Sequence, residues 1–360
     1  MCRKILAIIM CLAMLSLVGC KSKETTSEVT VSVPEEPKIV YYTNHLTGEE
    51  NIVDAKVYNR RPVAVMINNI SIAQKVQTGL TQADIVYETE VEGGITRLLA
   101  VFKDISKVKK LGTVRSARYP YIDLSMGHDA IYIHHGQDNT YAKPHLKDTQ
   151  TLILGSNNAG ERVKNGLASE HTLYGLGKKI WKWLKDKDYK TTLKEVENWQ
   201  NFAAADKQVS YPEKLADTVT VKFSGAYTSV FKYDEKSGKY VRYFRDIERK
   251  DYVTGESEYF KNIFVLSTSI SYYPDRKHKR VDLSKGKGYY CVNGTYTPIK
   301  WEKGKSSDSL KFTLEDGTPL EVNRGNSWVC FHSKQFDPKF ESTKKPEADI
   351  KSSAITETKN

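Results

Sequence analysis

The dipeptide Asn293-Gly294 lies between two runs of aromatic and β-branched residues, 289–292 and 295–299. Both central positions of a two-residue hairpin turn need positive φ, and Asn-Gly meets that need at low strain. An antiparallel hairpin here is the firmest structural reading in the chain. Two more follow by similar logic. Runs 227–233 and 239–244 flank a Gly-containing loop at 234–238, and runs 311–314 and 319–322 flank Asp316-Gly317. Aromatic pairs stabilise such ladders, so residues 213–335 read as a mainly antiparallel β domain.

The region before it has another texture. Residues 62–68, 85–90, 96–102 and 130–134 are short, β-branched and aromatic runs that read as strands. Helical or mixed segments separate them, including 116–125 and a long stretch at 173–186. In the latter, Leu173, Leu176, Ile180, Trp183 and Leu184 fall on one helical face, and Lys178, Lys179, Lys182 and Lys185 occupy the rest. Such a helix packs on a core or lies in a membrane interface; Gly175, Gly177 and its short length favour the core. The fold class expected is α+β. A mixed α/β layered domain over 39–205 precedes the smaller β domain, with the boundary near residues 203–216, where Tyr211-Pro212 follows an Ala-rich stretch.

The termini speak to location. Arg3 and Lys4 precede an apolar run at 5–18, too short to span a bilayer, and LVGC ends at Cys20. Residues 1–19 therefore read as a cleaved export signal. Cys20 reads as the lipidated first residue of the mature chain, with a small Gly19 beside the scissile bond. A tether at 20–38 and a tail at 343–360 are too polar to bury much apolar surface. The expected address is the extracytoplasmic face of the cell membrane, lipid-anchored. The formal net charge is +11, and cleavage removes two positive charges. Spread over many lysines, that charge reads as a solvated surface with affinity for anionic lipid or wall polymer; an exported protein does not meet nucleic acid. Of the 5 cysteines, Cys291 and Cys330 remain as thiols in the mature body, open to a disulfide or to two free thiols in strands.

No phosphate-cradling loop, HExxH helix, nucleophile elbow or EF-hand loop occurs, and the sequence implies no cofactor and no metal site. The densest polar cluster is Arg115-Ser116-Ala117-Arg118. If Ser116 caps a following helix, the helix start and two arginines can hold a phosphate or carboxylate, with Arg97 joining them after Gly93-Gly94. The competing reading spends these arginines on Glu88, Glu90, Glu92 or Asp123. His134-His135 adjoin on a strand and so point to opposite faces, which works against a shared zinc ion. His134 and His171 are weak candidates for a general base, with Ser116, Ser169 and Thr172 as available hydroxyls. The 22 tyrosines suit either a glycan groove or cross-strand packing.

The strings RPVAVMINN at 61–69, QTGLTQADIVYETEVEGGITR at 77–97, VRSARYPYID at 114–123 and IYIHHG at 131–136 resemble the YerB-like lipoprotein family. NHLTGE at 44–49 resembles that family's opening NPLTG, with His45 in place of Pro. EHTLY at 170–174 resembles its PHNLY element and aligns His171 with the family histidine. Strings at 288–301 and 314–329 extend the likeness across most of residues 44–331. Gln137-Asp138 depart from the Gly-Ser common there, and 248–259 lacks an expected His-Asp element. The resemblance implies two domains and membrane attachment outside the cytoplasm in Gram-positive-type bacteria; it supplies no activity. The expected function is therefore binding of an anionic or glycan envelope component, such as peptidoglycan or teichoic acid, or of a wall-active partner, without catalysis. The site is expected around Arg97, Arg115, Ser116, Arg118, His134 and His171. A wall-modifying hydrolase or transferase with a histidine base, and a scaffold docking an envelope protein through a sheet edge, are the alternatives.

Overall fold

The computed structural model describes residues 39–344, and residues 40–344 belong to one compact unit. The signal, Cys20, the tether and residues 345–360 lie outside the described residues. A ten-stranded sheet runs through the centre. Its order is Lys311–Leu314, Thr295–Glu302, Lys285–Val292, Asn262–Thr268, Ser327–Ser333, Ile85–Glu90, Thr96–Phe102, Val63–Asn68, Ile131–His134 and Thr151–Ile153. The hairpin at Asn293-Gly294 forms in the register the turn dictates, with Val292 opposite Thr295. Both turn residues adopt positive φ, 51° and 71°.

The sheet is continuous across both sequence regions. Ser327–Ser333 pairs in parallel with Ile85–Glu90 on one side and with Asn262–Thr268 on the other. Both sheet faces are covered, which suits near-continuous apolar strands. Along Val63–Asn68, Val63, Val65 and Ile67 enter one core while Ala64 and Met66 enter the other. On the first face sit a second sheet, built around Thr218–Lys222, Thr228–Asp234 and Lys239–Phe244, and the helix Gly177–Asp186 with Ile180 and Leu184 inward. On the opposite face lies the helix Tyr119–Met126, with Tyr121, Ile122 and Leu124 in the core.

One local reading changes. The stretch 173–186 is not one helix: Leu173–Gly175 is a strand pairing with Leu111–Gly112 and Gly160–Arg162, and the helix starts at Gly177. A Cβ at Gly177 would lie 2.0 Å from the Ile105 carbonyl oxygen, so this start is fixed by a backbone approach only glycine permits. Cys291 and Cys330 are free, buried thiols on the two strands that flank Asn262–Thr268.

A buried polar network joins the regions. Glu88 accepts hydrogen bonds from Asn69 Nδ2 at 3.0 Å, Thr96 Oγ1 at 2.8 Å, Ser229 Oγ at 2.9 Å and Trp328 Nε1 at 3.2 Å. Arg242 donates to Asn69 Oδ1 at 3.0 Å, pairs with Glu258 at 2.9 Å, and lies 4.5 Å from the centre of the Trp328 ring. A network with so many partners satisfied fixes one arrangement of the two regions.

Candidate functional site: the strand ends and the adjoining cleft

The strands Val63–Asn68, Ile85–Glu90, Ile131–His134 and Asn262–Thr268 share a direction, and their carboxyl ends open on one edge of the sheet. In sheets of this kind ligands bind in crevices beyond those ends. The six residues singled out from the sequence gather there. Arg97, near the start of the neighbouring antiparallel strand, is 6% exposed and donates to the Ser116 carbonyl oxygen at 2.6 Å. Among the described residues no acidic side chain lies within 4.0 Å of its guanidinium. Burial first, then the charge of Arg118, pulls Arg97 down to about 9. Arg118 is paired with Glu92 at 2.6 Å, which decides between the two readings of that arginine. Burial, the largest single effect on Glu92, works against its charge, but the hydrogen bond and charge of Arg118 together with the charge of Arg97 outweigh it and keep that carboxyl low. Arg115 donates to the Glu170 carbonyl oxygen at 2.8 Å.

Ser116 does not cap the helix. The N-cap is Arg118, without a side-chain cap, and Pro120 occupies the first turn, where its missing N–H costs nothing. Ser116 instead packs on Gly136, whose φ is +76° and where an added Cβ would lie 3.1 Å from Ser116 Oγ.

His134 is buried, with Nδ1 2.7 Å from the Gly136 carbonyl oxygen. A carbonyl accepts only, so the proton is assigned to Nδ1, and Nε2 is a bare acceptor with no partner among the described residues. Burial lowers its pKa. His135 turns away, with Nδ1 2.7 Å from Leu154 O. His171 Nδ1 lies 2.8 Å from Asn68 Nδ2 and accepts from that amide, while Nε2 is 3.6 Å from Glu170. Neither His134 nor His171 is hydrogen-bonded to a serine or threonine hydroxyl among the described residues.

The larger hollow lies beside this cluster, and the sequence reading missed it. A cleft of about 770 Å³ opens between 119–145 of the first region and 269–306 of the second. Its lining is largely polar, with Asp123, Asp282 and several serines, but carries an aromatic group: Tyr141 stacks on Tyr273 at 3.8 Å and 14°, and Tyr119 meets His145 edge-on at 4.4 Å. Arg280 lines it as well. Asp123 sits in the same wall with Oδ1 buried and unpartnered, and burial raises its pKa. Lys303 is spent on structure, its Nζ donating to the carbonyls of Lys305, Ser306 and Asp308 at 2.7–2.9 Å; burial pulls it down to about 8. A smaller hollow shares Tyr119, Tyr141 and Tyr273 with the cleft and reaches Arg118, the one residue of the six to line either space. The hairpin Ile270–Tyr272/Lys279–Val281 closes over it, placing His278 Nε2 3.4 Å from Asp138 and 3.7 Å from Glu92.

Comparison with known proteins now decides the lineage. Residues 46–190 match the N-terminal domain, and residues 219–329 the C-terminal domain, of the protein family of unknown function DUF3048. A Bacillus subtilis (strain 168) protein named "Putative lipoprotein YerB" is 30% identical over 326 residues, 89% of this chain and 92% of the relative. The chain belongs to the DUF3048 family. The crystal structure of YerB from Bacillus subtilis matches with a TM-score of 0.72 at 27% identity, covering 84% of this chain and all of that one. The YerB-like resemblance and the α+β class both hold. In DUF3048 terms, the cleft lies where the N-terminal-domain segment around Tyr141 meets the C-terminal-domain hairpin carrying Tyr273. Its lining combines segments far apart in the chain, so no local pattern within either domain signals it.

Proposed function

We propose that this DUF3048 chain is an envelope lipoprotein, held by lipid on Cys20 at the outer face of the cytoplasmic membrane, that binds a glycan carrying anionic groups in the cleft between its two regions, without catalysis. The name of its Bacillus subtilis relative and the LVGC ending at Cys20 support the anchor. The observation that carries the binding reading is the group of three tyrosines in the cleft lining. Flat aromatic faces cover the apolar faces of sugar rings, and a volume of about 770 Å³ is within the range of small-molecule sites. Arg280 in the lining suits a carboxylate or phosphate group on the ligand.

The test is equilibrium binding of muropeptides and of teichoic-acid fragments to the chain begun at Val40. Tyr273→Ala is expected to weaken the better ligand about tenfold, as loss of a stacking face does, with an unchanged circular dichroism spectrum. Arg115→Ala/Arg118→Ala reports on the neighbouring arginines. Wild-type affinity in Tyr273→Ala would discard the cleft as the site.

A further inference from the structure

One face of this chain gathers a cluster of exposed lysines. On the helix Gly177–Asp186, Ile180 and Leu184 take the core side, leaving Lys178, Lys179, Lys182 and Lys185 exposed. Lys187 and Lys190 continue the face, exposed in the segment that follows. The turn Ile105–Lys107 packs against the helix start, where Gly177 N donates to Val108 O at 3.1 Å, and it adds exposed Lys107 and Lys109. Against these eight lysines stand Asp186, paired with Lys182, and Asp188. Asp104 is already neutralised by Arg60 at 2.6 Å. Half-buried Trp181 and Trp183 border the lysines, with Arg60 4.5 Å from the centre of the Trp181 ring.

This face lies on the side where the chain enters the folded body. Just after Val40, Tyr42 stacks on Tyr58 at 5.2 Å. Tyr58 leads within two residues to Arg60, and so to Trp181. Residues 21–38 span at most about 60 Å fully stretched, so a lipid on Cys20 keeps this side within reach of the bilayer.

We infer that the lysine face of the 177–186 helix rests on an anionic phospholipid surface, the bilayer that holds the chain's own lipid. The inference uses the lipoprotein reading for its geometry, but the contact itself is electrostatic. The apolar side of the helix is committed to the core, so the helix lies on the headgroups without inserting. The tryptophan rims suit the interfacial zone, where amphipathic rings concentrate. Each lysine near such a surface strengthens partitioning about fivefold. Tethering then makes a weak contact sufficient, because the second encounter is intramolecular. The contact turns the body so that this basic side faces lipid.

The experiment uses the chain begun at Val40, which lacks the anchor, so its outcome is independent of lipidation and of the cleft. Sedimentation with phosphatidylglycerol–phosphatidylcholine vesicles should show binding that fades as salt rises through ~0.1 M, where the screening length is about 10 Å. Pure phosphatidylcholine vesicles should not bind. Lys178→Gln/Lys182→Gln/Lys185→Gln should lower partitioning on the order of a hundredfold, the product of three fivefold losses, with an unchanged thermal transition. The control Lys285→Gln/Lys287→Gln/Lys311→Gln, on exposed lysines of the first and third strands from the far edge of the ten-stranded sheet, should bind as the wild type does. Equal loss in the two triple variants, no wild-type binding to anionic vesicles, or binding to soluble polyphosphate without binding to vesicles would each overturn the inference.

Discussion

His128 lies within the body, its Nε2 2.7 Å from the Tyr87 hydroxyl, and nearby His45 is equally enclosed. Burial pushes His128 down to about 3 and His45 down to about 2. Both folded values lie below the unfolded value of 6.5, so the neutral rings contribute fully above that pH. The contribution is lost as pH falls below it, because the unfolded chain binds the protons. Asp84 acts in the opposite sense. Buried and raised to about 6, it takes up a proton in the folded state first and offsets one histidine between about pH 6 and 4. Burial also lowers His134, His171 and His332 and raises Glu88 and Asp123, so the lowered histidines outnumber the raised carboxyls and stability declines as the pH drops. Urea midpoints are expected to fall from pH 6.5 to 4.5, and His128→Asn to flatten the decline; stability that holds or rises over that range refutes the assignment. Nothing in the sequence marked His45 or His128 as enclosed. The arginines at 115 and 118 were legible as a charged pair, but their partners, the Glu170 carbonyl and Glu92, follow from loop paths that composition does not encode.

Strands were legible almost residue by residue, because β-branched runs bounded by turn residues have few other uses. The run 85–90 is the strand Ile85–Glu90, and 96–102 is Thr96–Phe102. Errors fell where tertiary contacts override periodicity. Leu173 and Leu176 keep helical spacing with Ile180, yet the approach of Gly177 to the Ile105 carbonyl starts the helix later. The strand 319–322 was read as a hairpin partner of 311–314. That hairpin forms but is short: Leu314 N donates to Thr318 O at 2.8 Å and Leu320 N to Phe312 O at 3.0 Å, and then Glu321–Val322 leaves to pair with Asn201–Phe202. The Asn293-Gly294 turn carries an element-level prediction. Gly294 has φ +71°, and an added Cβ would meet Tyr233 at 2.9 Å. Gly294→Ala should therefore cost about 1–2 kcal/mol from the left-handed backbone alone, and more if the Tyr233 ring cannot shift. Urea unfolding measures it, and an unchanged midpoint would show that the turn tolerates the strain.

The two family domains share one sheet, and this joint could not be read from either half. Ile85–Glu90 is flanked by Thr96–Phe102 on one side and by Ser327–Ser333 on the other. Removing everything after residue 205 bares that flank and strips Glu88 of Ser229 and Trp328. A chain of residues 40–205 is expected not to reach a native state, while the chain begun at Val40 should unfold in one transition, with far-ultraviolet dichroism and tryptophan fluorescence coinciding. A dispersed proton spectrum from the shorter chain would contradict this. Pairing over so long a separation also has a cost in time. Glu88 and Trp328 are 240 residues apart, and ribosomes add roughly 5–20 residues per second. For about 12–48 seconds of synthesis, the nascent first half holds a hydrophobic strand whose neighbour does not yet exist. Such an open rim invites pairing with other chains, so the join that makes the finished molecule one body is also what leaves the growing one vulnerable.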